Sequence, residues 1–309
     1  MGQMGFFTDT TLCIGCKACE VACKEWNQLP DDGFSLTGMS YDNTGHVGAS
    51  TWRHVAFVER RSPLPGQGSP RDGAQAAGAF AELFPLGQPG PRSLLGDIAP
   101  SQVETPVPLG PTERALGNFS WLMMSDVCKH CARAGCLEAC PTGAIMRTEF
   151  GSVYVQPDVC NGCGYCVSAC PFGVVDRRED DGRAWKCTLC YDRLKHDMVP
   201  ACAQHCPTAS IQFGDLDELR ARAGQRVDQL HARGLADAYL YGADSSAQPG
   251  TEGLNAFFLL CDRPEVYNLP PDPVVPTKKI AKSWWAMASG ITGLAAMALG
   301  AVLSVRRLP

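Results

Sequence analysis

Cysteine placement constrains this chain more than any other feature. Of its 17 cysteines in 309 residues, all but Cys261 fall into four groups: CIGCKACEVAC from Cys13, CKHCARAGCLEACP from Cys128, CNGCGYCVSACP from Cys160, and CTLCYDRLKHDMVPACAQHCP from Cys187. So many thiols must either cross-link or be organised around something they hold. A disulfide scaffold is usually a short secreted chain. This one is long enough for one large or two modest domains, so its interior is expected to be arranged around bound metal.

The third group has the C-x2-C-x2-C-x3-C-P spacing of a bacterial two-cluster ferredoxin, in which three cysteines serve one cluster and the fourth serves its neighbour. The second group differs only in the gap before its third cysteine. Pairing the two assigns Cys128, Cys131, Cys136 and Cys170 to one centre, and Cys160, Cys163, Cys166 and Cys140 to the next. The same exchange applied to the flanking groups assigns Cys13, Cys16, Cys19 and Cys206 to a third centre and Cys187, Cys190, Cys202 and Cys23 to a fourth. Pro141, Pro171 and Pro207 follow three of the exchanged cysteines. Lys24 stands where the first group lacks that proline, which predicts a helix continuing through Glu25 and Trp26.

Four [4Fe-4S] clusters are the expected cofactors. Structural zinc also accepts four thiolates, but zinc-finger spacing normally lacks the repeated third cysteine and trailing proline. Cys261 is left as a small buried side chain. Closed cysteine coordination leaves no open iron for substrate and suits a one-electron relay. Lys17, Lys129, Lys186 and His130 are candidates for raising cluster potentials, and Trp26, Tyr165 and Trp185 for covering clusters against water. Asp126 and Asp158 read as turn formers. No catalytic residue is expected: there is no glycine-rich nucleotide loop after a credible strand, and the histidines lack metal-site spacing. A formal charge of -5 argues against a nucleic-acid surface.

The fold class expected is α+β: two interleaved bacterial-ferredoxin-like cluster-pair modules, an irregular insertion and one C-terminal transmembrane helix. Residues 1–58 form the first part of the outer module, 59–117 a Pro/Gly-rich insertion with a short helical run at AAGAFAELF, and 118–183 the inner module. Residues 184–214 complete the outer module, 215–273 form a C-terminal helix and extension, and 274–309 a linker and anchor. Short strands are expected around Gly151 and at ASIQFG. The run DLDELRARAGQRVDQLHARG reads as a surface helix capped by Asp215 with Glu218 reaching back, with Leu216, Leu219, Val227 and Leu230 as its apolar stripe and Gly234 at its exit. NAFFLLCD reads as a buried strand and PPDPVVP as an extended linker. MGQMGFFTDTT is too short for a secretory signal, so export would need another route. From Trp284 to Val305 the chain carries no charge, and its length of about 33 Å as a helix suits a bilayer core. Lys278, Lys279 and Lys282 flank one end, Arg306 and Arg307 the other, and Trp284 and Trp285 sit as interfacial anchors.

The segments TTLCIGCKACEVACKEWN, CKHCARAGCLEACPTGAI, CNGCGYCVSACPFG and WKCTLCYDRLKHDMVPACAQHCPTASIQFG, in that order, resemble the iron-sulfur beta subunits of membrane-bound molybdenum or tungsten enzymes, above all of respiratory formate dehydrogenase. RVDQLHARG, YNLPPDP and the apolar C-terminus extend the likeness. The resemblance implies a subunit that binds no substrate directly and has a molybdopterin-containing catalytic alpha subunit as partner. That partner would oxidise formate, and electrons would pass through the four clusters to a membrane cytochrome b gamma subunit and quinone. It also implies the exchanged cysteine sets given above. It places the chain in the cell membrane as a single-pass protein with its cluster domain on the periplasmic side of the lipid bilayer. Two alternatives are an equivalent subunit of a hydrogenase, polysulfide reductase or sulfoxide reductase, and a structural zinc-binding membrane adaptor.

Overall fold

The strand that leads into the first cysteines is held between segments more than two hundred residues away. In the computed structural model, which describes residues 2–33, 42, 44–60, 120–246 and 248–305, β1 (Met4–Asp9) is followed by α1 (Ala18–Asn27), β2 (Arg53–Arg60) and β3 (Ser120–Val127). Next come α2 (Gly135–Glu138), β4 (Ile145–Arg147), β5 (Val153–Val155), α3 (Tyr165–Ala169), β6 (Asp176–Arg177) and β7 (Ala184–Trp185). The remainder comprises α4 (Tyr191–Leu194), α5 (Ala201–Gln204), β8 (Ile211–Asp215), α6 (Leu216–Ala232), β9 (Tyr239–Tyr241), β10 (Ala256–Leu260) and α7 (Ile280–Val305).

β1 pairs antiparallel with β8, Met4 opposite Asp215 and Thr8 opposite Ile211, and parallel with β10, Phe6 opposite Ala256 and Asp9 opposite Leu259; β9 completes the sheet. The β1–β8 pairing draws the first and fourth cysteine groups together. Side chains alternate across a strand, and β1 uses both faces. Phe7 stacks on Phe257 with ring centroids 5.3 Å apart, in the apolar core shared with Leu216, Leu219 and Leu260. Phe6 meets Phe213 edge-on at 5.7 Å and faces the core that contains Cys19, Cys23, Cys187 and Cys202.

β2 and β3 form an antiparallel ribbon from Arg53 opposite Val127 to Arg60 opposite Ser120. Glu59 and Arg60, expected to open the insertion, instead close β2. The rest of that insertion, with its AAGAFAELF run, lies outside the described residues. β4 and β5 pair about Gly151, whose φ of 79° supplies the left-handed turn. ASIQFG supplies β8, and NAFFLLCD supplies β10, every residue of which is buried.

α6 begins as its sequence directs. The Asp215 carboxylate accepts from the backbone N–H of Asp217 at 3.0 Å and of Glu218 at 3.4 Å. Leu216, Leu219 and Leu230 are buried, and Gly234 leaves the helix at φ 91°. The PPDPVVP segment is less free than a linker. Val275 is fully buried, and its N–H bonds the Gly250 carbonyl at 3.3 Å. The Thr277 hydroxyl bonds Glu138.

The expected transmembrane helix is corrected. The C-terminal run does form a helix, α7, of 26 residues. Among the described residues, however, no helix is long and apolar enough to cross a membrane. α7 carries small and hydroxyl-bearing residues along its length. Ser283, Ser289, Gly290, Thr292 and Gly293 dilute its apolar run. The single-pass anchor, the bilayer contact and the periplasmic placement built on it therefore do not stand. Lys282, Arg306 and Arg307 lie among the side chains outside those described.

Candidate metal centres

Each three-cysteine stretch is bent by left-handed backbone. Gly15 has φ 67° and Gly162 φ 72°, and the same region is occupied by Lys17 at 58°, His130 at 44°, Leu189 at 60° and Cys190 at 49°. Non-glycine residues rarely adopt it. Backbone N–H groups reach sulfur: that of Leu189, in one of these turns, reaches Cys187 Sγ, and that of Ala184, from β7, reaches Cys160 Sγ, each at 3.4 Å.

All of these cysteines are free of disulfides, and cysteines from different groups come together. Cys13, Cys16, Cys19 and Cys206 line one pocket. Cys128, Cys131, Cys136 and Cys170 line another. Burial pushes the Cys23 thiol well above its usual range, and the neighbouring Cys202, Cys187 and Cys190 push it further. The Cys166 thiol is raised to about 11 by burial and then by Cys160 and Cys163, with Cys140 also acting on it. Cys19 and Cys136 are each pushed up to about 12, chiefly by burial. Burial also tends to raise Cys140, but the Thr142 hydroxyl and the N–H groups of Ile145, Thr142 and Ala144 outweigh it and leave that thiol lowered. Among the described residues no group of three or more His, Cys, Asp or Glu closes around a single metal ion.

Neighbouring sets also adjoin one another. Burial and then the nearby Cys128 raise the Cys187 thiol, which brings the Cys23 set beside the Cys128 set. Cys166 acts on Cys136, which brings the Cys160 set beside the Cys128 set. At the two ends, Cys16 and Cys163 are exposed.

Buried cations lie between these sets. Lys186, 1% exposed, donates to the Cys187 carbonyl at 3.0 Å and to the Val153 carbonyl. Its pKa is nevertheless raised: burial lowers it, but Cys128, Cys136 and Cys187 outweigh burial. Lys129, equally buried, pairs with Asp126 and lies 5.2 Å from the Phe172 ring centroid. His130 accepts the Val153 N–H on Nδ1 at 3.0 Å. Burial and then Lys186 hold it well below the usual histidine range, so it is neutral. These three candidates are therefore interior groups. Lys17 is the exception: it reaches toward the surface, 3.3 Å from both Glu20 and Asp42.

Other expected residues take varied places. Tyr165 is 60% exposed and covers little. Trp185 stacks on Trp52 at 6.4 Å, and Trp26 binds Asp192 through its indole N–H. Asp126, expected to form a turn, instead lies in β3 opposite His54, and its carboxylate accepts from the Val127 N–H at 2.8 Å. The Asp158 side chain is fully exposed, 3.8 Å from Arg183. Cys261 is buried in the apolar core among Leu259, Leu260 and Tyr267. Sequence reasoning missed Arg53 and Ser125. Arg53 is fully buried, and its charge faces Cys202, Cys19, Cys187 and Cys23. No local pattern marks it, because it is far from every cysteine in sequence.

These residues fit thiolate-held iron-sulfur clusters. The donors are free cysteines, four of which line each of two pockets, N–H groups point at sulfur, and buried cations offset the thiolate charge.

Comparison with known proteins agrees with this chemistry. Two models described as 4Fe-4S dicluster domain match residues 12–144 and 119–216, so the chain carries two cluster-pair domains. The nitrate-inducible formate dehydrogenase iron-sulfur subunit of Escherichia coli is 34% identical over 273 residues, covering 87% of this chain and 73% of that one. The formate dehydrogenase iron-sulfur subunit of Haemophilus influenzae is 34% identical over 301 residues, covering 94% and 77%. A polypeptide of the anaerobic dimethyl sulfoxide reductase of Escherichia coli is 28% identical over 222 residues, covering 72% and 78%. With the cysteine sets, the dicluster matches and relatives of this extent in hand, the chain belongs to the iron-sulfur subunits of formate dehydrogenase, as a non-catalytic electron-transfer subunit.

Proposed function

We propose that this chain carries electrons singly through four [4Fe-4S] clusters, from a molybdopterin-containing catalytic alpha subunit to a membrane cytochrome b gamma subunit and quinone. Bound to four thiolates, such a cluster takes up or gives up one electron and offers no open site to substrate. The ligand sets proposed are Cys13, Cys16, Cys19 and Cys206; Cys187, Cys190, Cys202 and Cys23; Cys128, Cys131, Cys136 and Cys170; and Cys160, Cys163, Cys166 and Cys140. The outer module is then formed by residues 1–58 and 184–214 and encloses the inner module of 118–183, with 215–273 as a C-terminal helix and extension that supplies α6 and the strands β9 and β10.

One observation carries this reading. Cysteines far apart in sequence lie together in the nested pattern, Cys206 with Cys13 in one cavity and Cys23 with Cys202 in another set. The chain's own residues do the rest. β1 and β8 hold the outer sets together, backbone N–H groups bond sulfur, and Lys186 balances charge where the modules meet. Cys16 and Cys163 open the two ends to approaching partners.

Anaerobic purification of the assembled complex tests the proposal. Iron and acid-labile sulfide should each be found at about sixteen per chain, a molybdopterin subunit should copurify, and formate should bleach the cluster absorbance. Zinc in place of iron, or bleaching that needs another substrate, would refute it.

A further inference from the structure

We propose that Arg53 is a shared positioning cation for the two outer centres, fixed between Cys19 on one side and Cys23, Cys187 and Cys202 on the other, where it raises the reduction potential of both. This rests on the reading above that these cysteines hold [4Fe-4S] clusters.

Arg53 opens β2 opposite Val127 and is 1% exposed. Its Nη1 donates to the Ser125 carbonyl at 3.3 Å and to the Ser125 hydroxyl at 3.1 Å. That hydroxyl lies 3.2 Å from Cys19 Sγ. The guanidinium sits 4.7 Å from the centroid of the Phe6 ring, the β1 side chain that faces the cysteine core. Nε and Nη2 are buried and have no hydrogen-bond partner.

Among the described residues no ion pair of this cation with a carboxylate is seen, and the groups whose charge bears most strongly on it are Cys202, Cys19, Cys187 and Cys23 of the two outer sets. An isolated charge in an apolar interior is costly. Here it is offset only when the surrounding sulfurs are thiolates, and two unsatisfied N–H donors point to acceptors of that kind. Packing alone would be served by an uncharged side chain and leaves the two bare donors unexplained.

The physical effect has a definite sign. Reduction of either centre adds one electron, supplied by a chemical reductant in a titration, and makes its thiolate cage one charge more negative. A fixed cation stabilises that state. Arginine stays protonated throughout the accessible pH range, so no proton moves on Arg53 and its effect is independent of pH.

The test is a redox titration followed by electron paramagnetic resonance on the assembled complex, after iron and sulfide have been counted. Cys13→Ser and Cys190→Ser identify the signals of the two outer centres. In Arg53→Met the reduction equilibrium of both outer centres should fall at least tenfold, about 59 mV for one electron, while the centre of Cys160, Cys163, Cys166 and Cys140 stays within about twofold on the same scale. Arg53→Lys should recover most of the loss. Should Arg53→Met fail to assemble, Ser125→Ala keeps the charge but loosens it, and should shift the Cys19 centre more than the centre farthest from it. Unchanged outer potentials in Arg53→Met, equal shifts in all four centres, or an unmoved Cys19 centre in Ser125→Ala would overturn the role of Arg53. Wild-type complex lacking iron and sulfide would instead sink the cluster reading itself, before any variant is compared.

Discussion

Trp26 donates its indole N–H to the Asp192 carboxylate at 2.8 Å across 166 residues of chain. The Arg193 guanidinium lies 4.2 Å from the centroid of the same ring. This contact follows from the missing proline after Cys23. With Lys24 in its place, α1 runs on to Asn27 and carries Trp26 to α4, which starts directly after Cys190. Replacing Trp26 with alanine removes a half-exposed hydrogen bond and a cation–ring contact, about 1–2 kcal/mol together. Trp26→Phe keeps the ring and should cost roughly half as much. Denaturant unfolding of the full chain measures both.

The nested arrangement predicts which centre each exchanged cysteine serves. Cys23→Ser should abolish the spectroscopic signal of the Cys187 centre and spare that of Cys13, whereas Cys206→Ser should do the reverse. Iron content should fall by about a quarter in each variant if the other centres persist. Loss of the Cys13 signal alone in Cys23→Ser would contradict the exchange.

Lys186 lies where the outer and inner sets meet, bonded to the Cys187 carbonyl at 3.0 Å and to Val153. Lys186→Met strips two buried acceptors of their donor and removes the charge facing Cys128, Cys136 and Cys187. A loss of about 2–4 kcal/mol is expected. Equilibrium unfolding of the loaded protein reads it, and a variant as stable as wild type would show that the cation is dispensable.

Gly135 permits a close approach of backbone. A Cβ there would stand 2.5 Å from the Ala169 carbonyl oxygen, the end of α3, and near Val275. Gly135→Ala should therefore destabilise by about 1–3 kcal/mol. Gly224 in α6 has nothing within 4 Å of such a carbon, and Gly224→Ala should stabilise by up to about 1 kcal/mol. Thermal melts of the two variants should move in opposite directions.

Cys261 offers a pH test outside the metal sets. Burial and then the Asp9 charge raise its thiol to about 11. In the unfolded chain it loses its proton near 8.5, so its contribution to stability is intact below that pH and is lost as pH rises toward about 11. At pH 8, iodoacetamide should leave Cys261 unmodified in the folded protein and alkylate it after denaturation, as read by peptide mass spectrometry.

Local order was readable from the residues themselves wherever a few neighbours decide the outcome. Asp215 caps α6 through bonds to the next turn, Gly151 turns β4 into β5, and three cysteines within a few residues set the reach of their sulfurs. Such features depend on spacing and backbone preference over short range. Tertiary structure alone decided which cations are dry, which strand lies beside β1, and that no described helix meets the requirements of a membrane span. Arg53 looks like an ordinary surface residue in its segment, and Lys186 stands out only as a neighbour of Cys187. They acquire their surroundings only when β1 pairs with β8 and β10 and β2 lies along β3, because burial and charge depend on neighbours brought from distant parts of the chain.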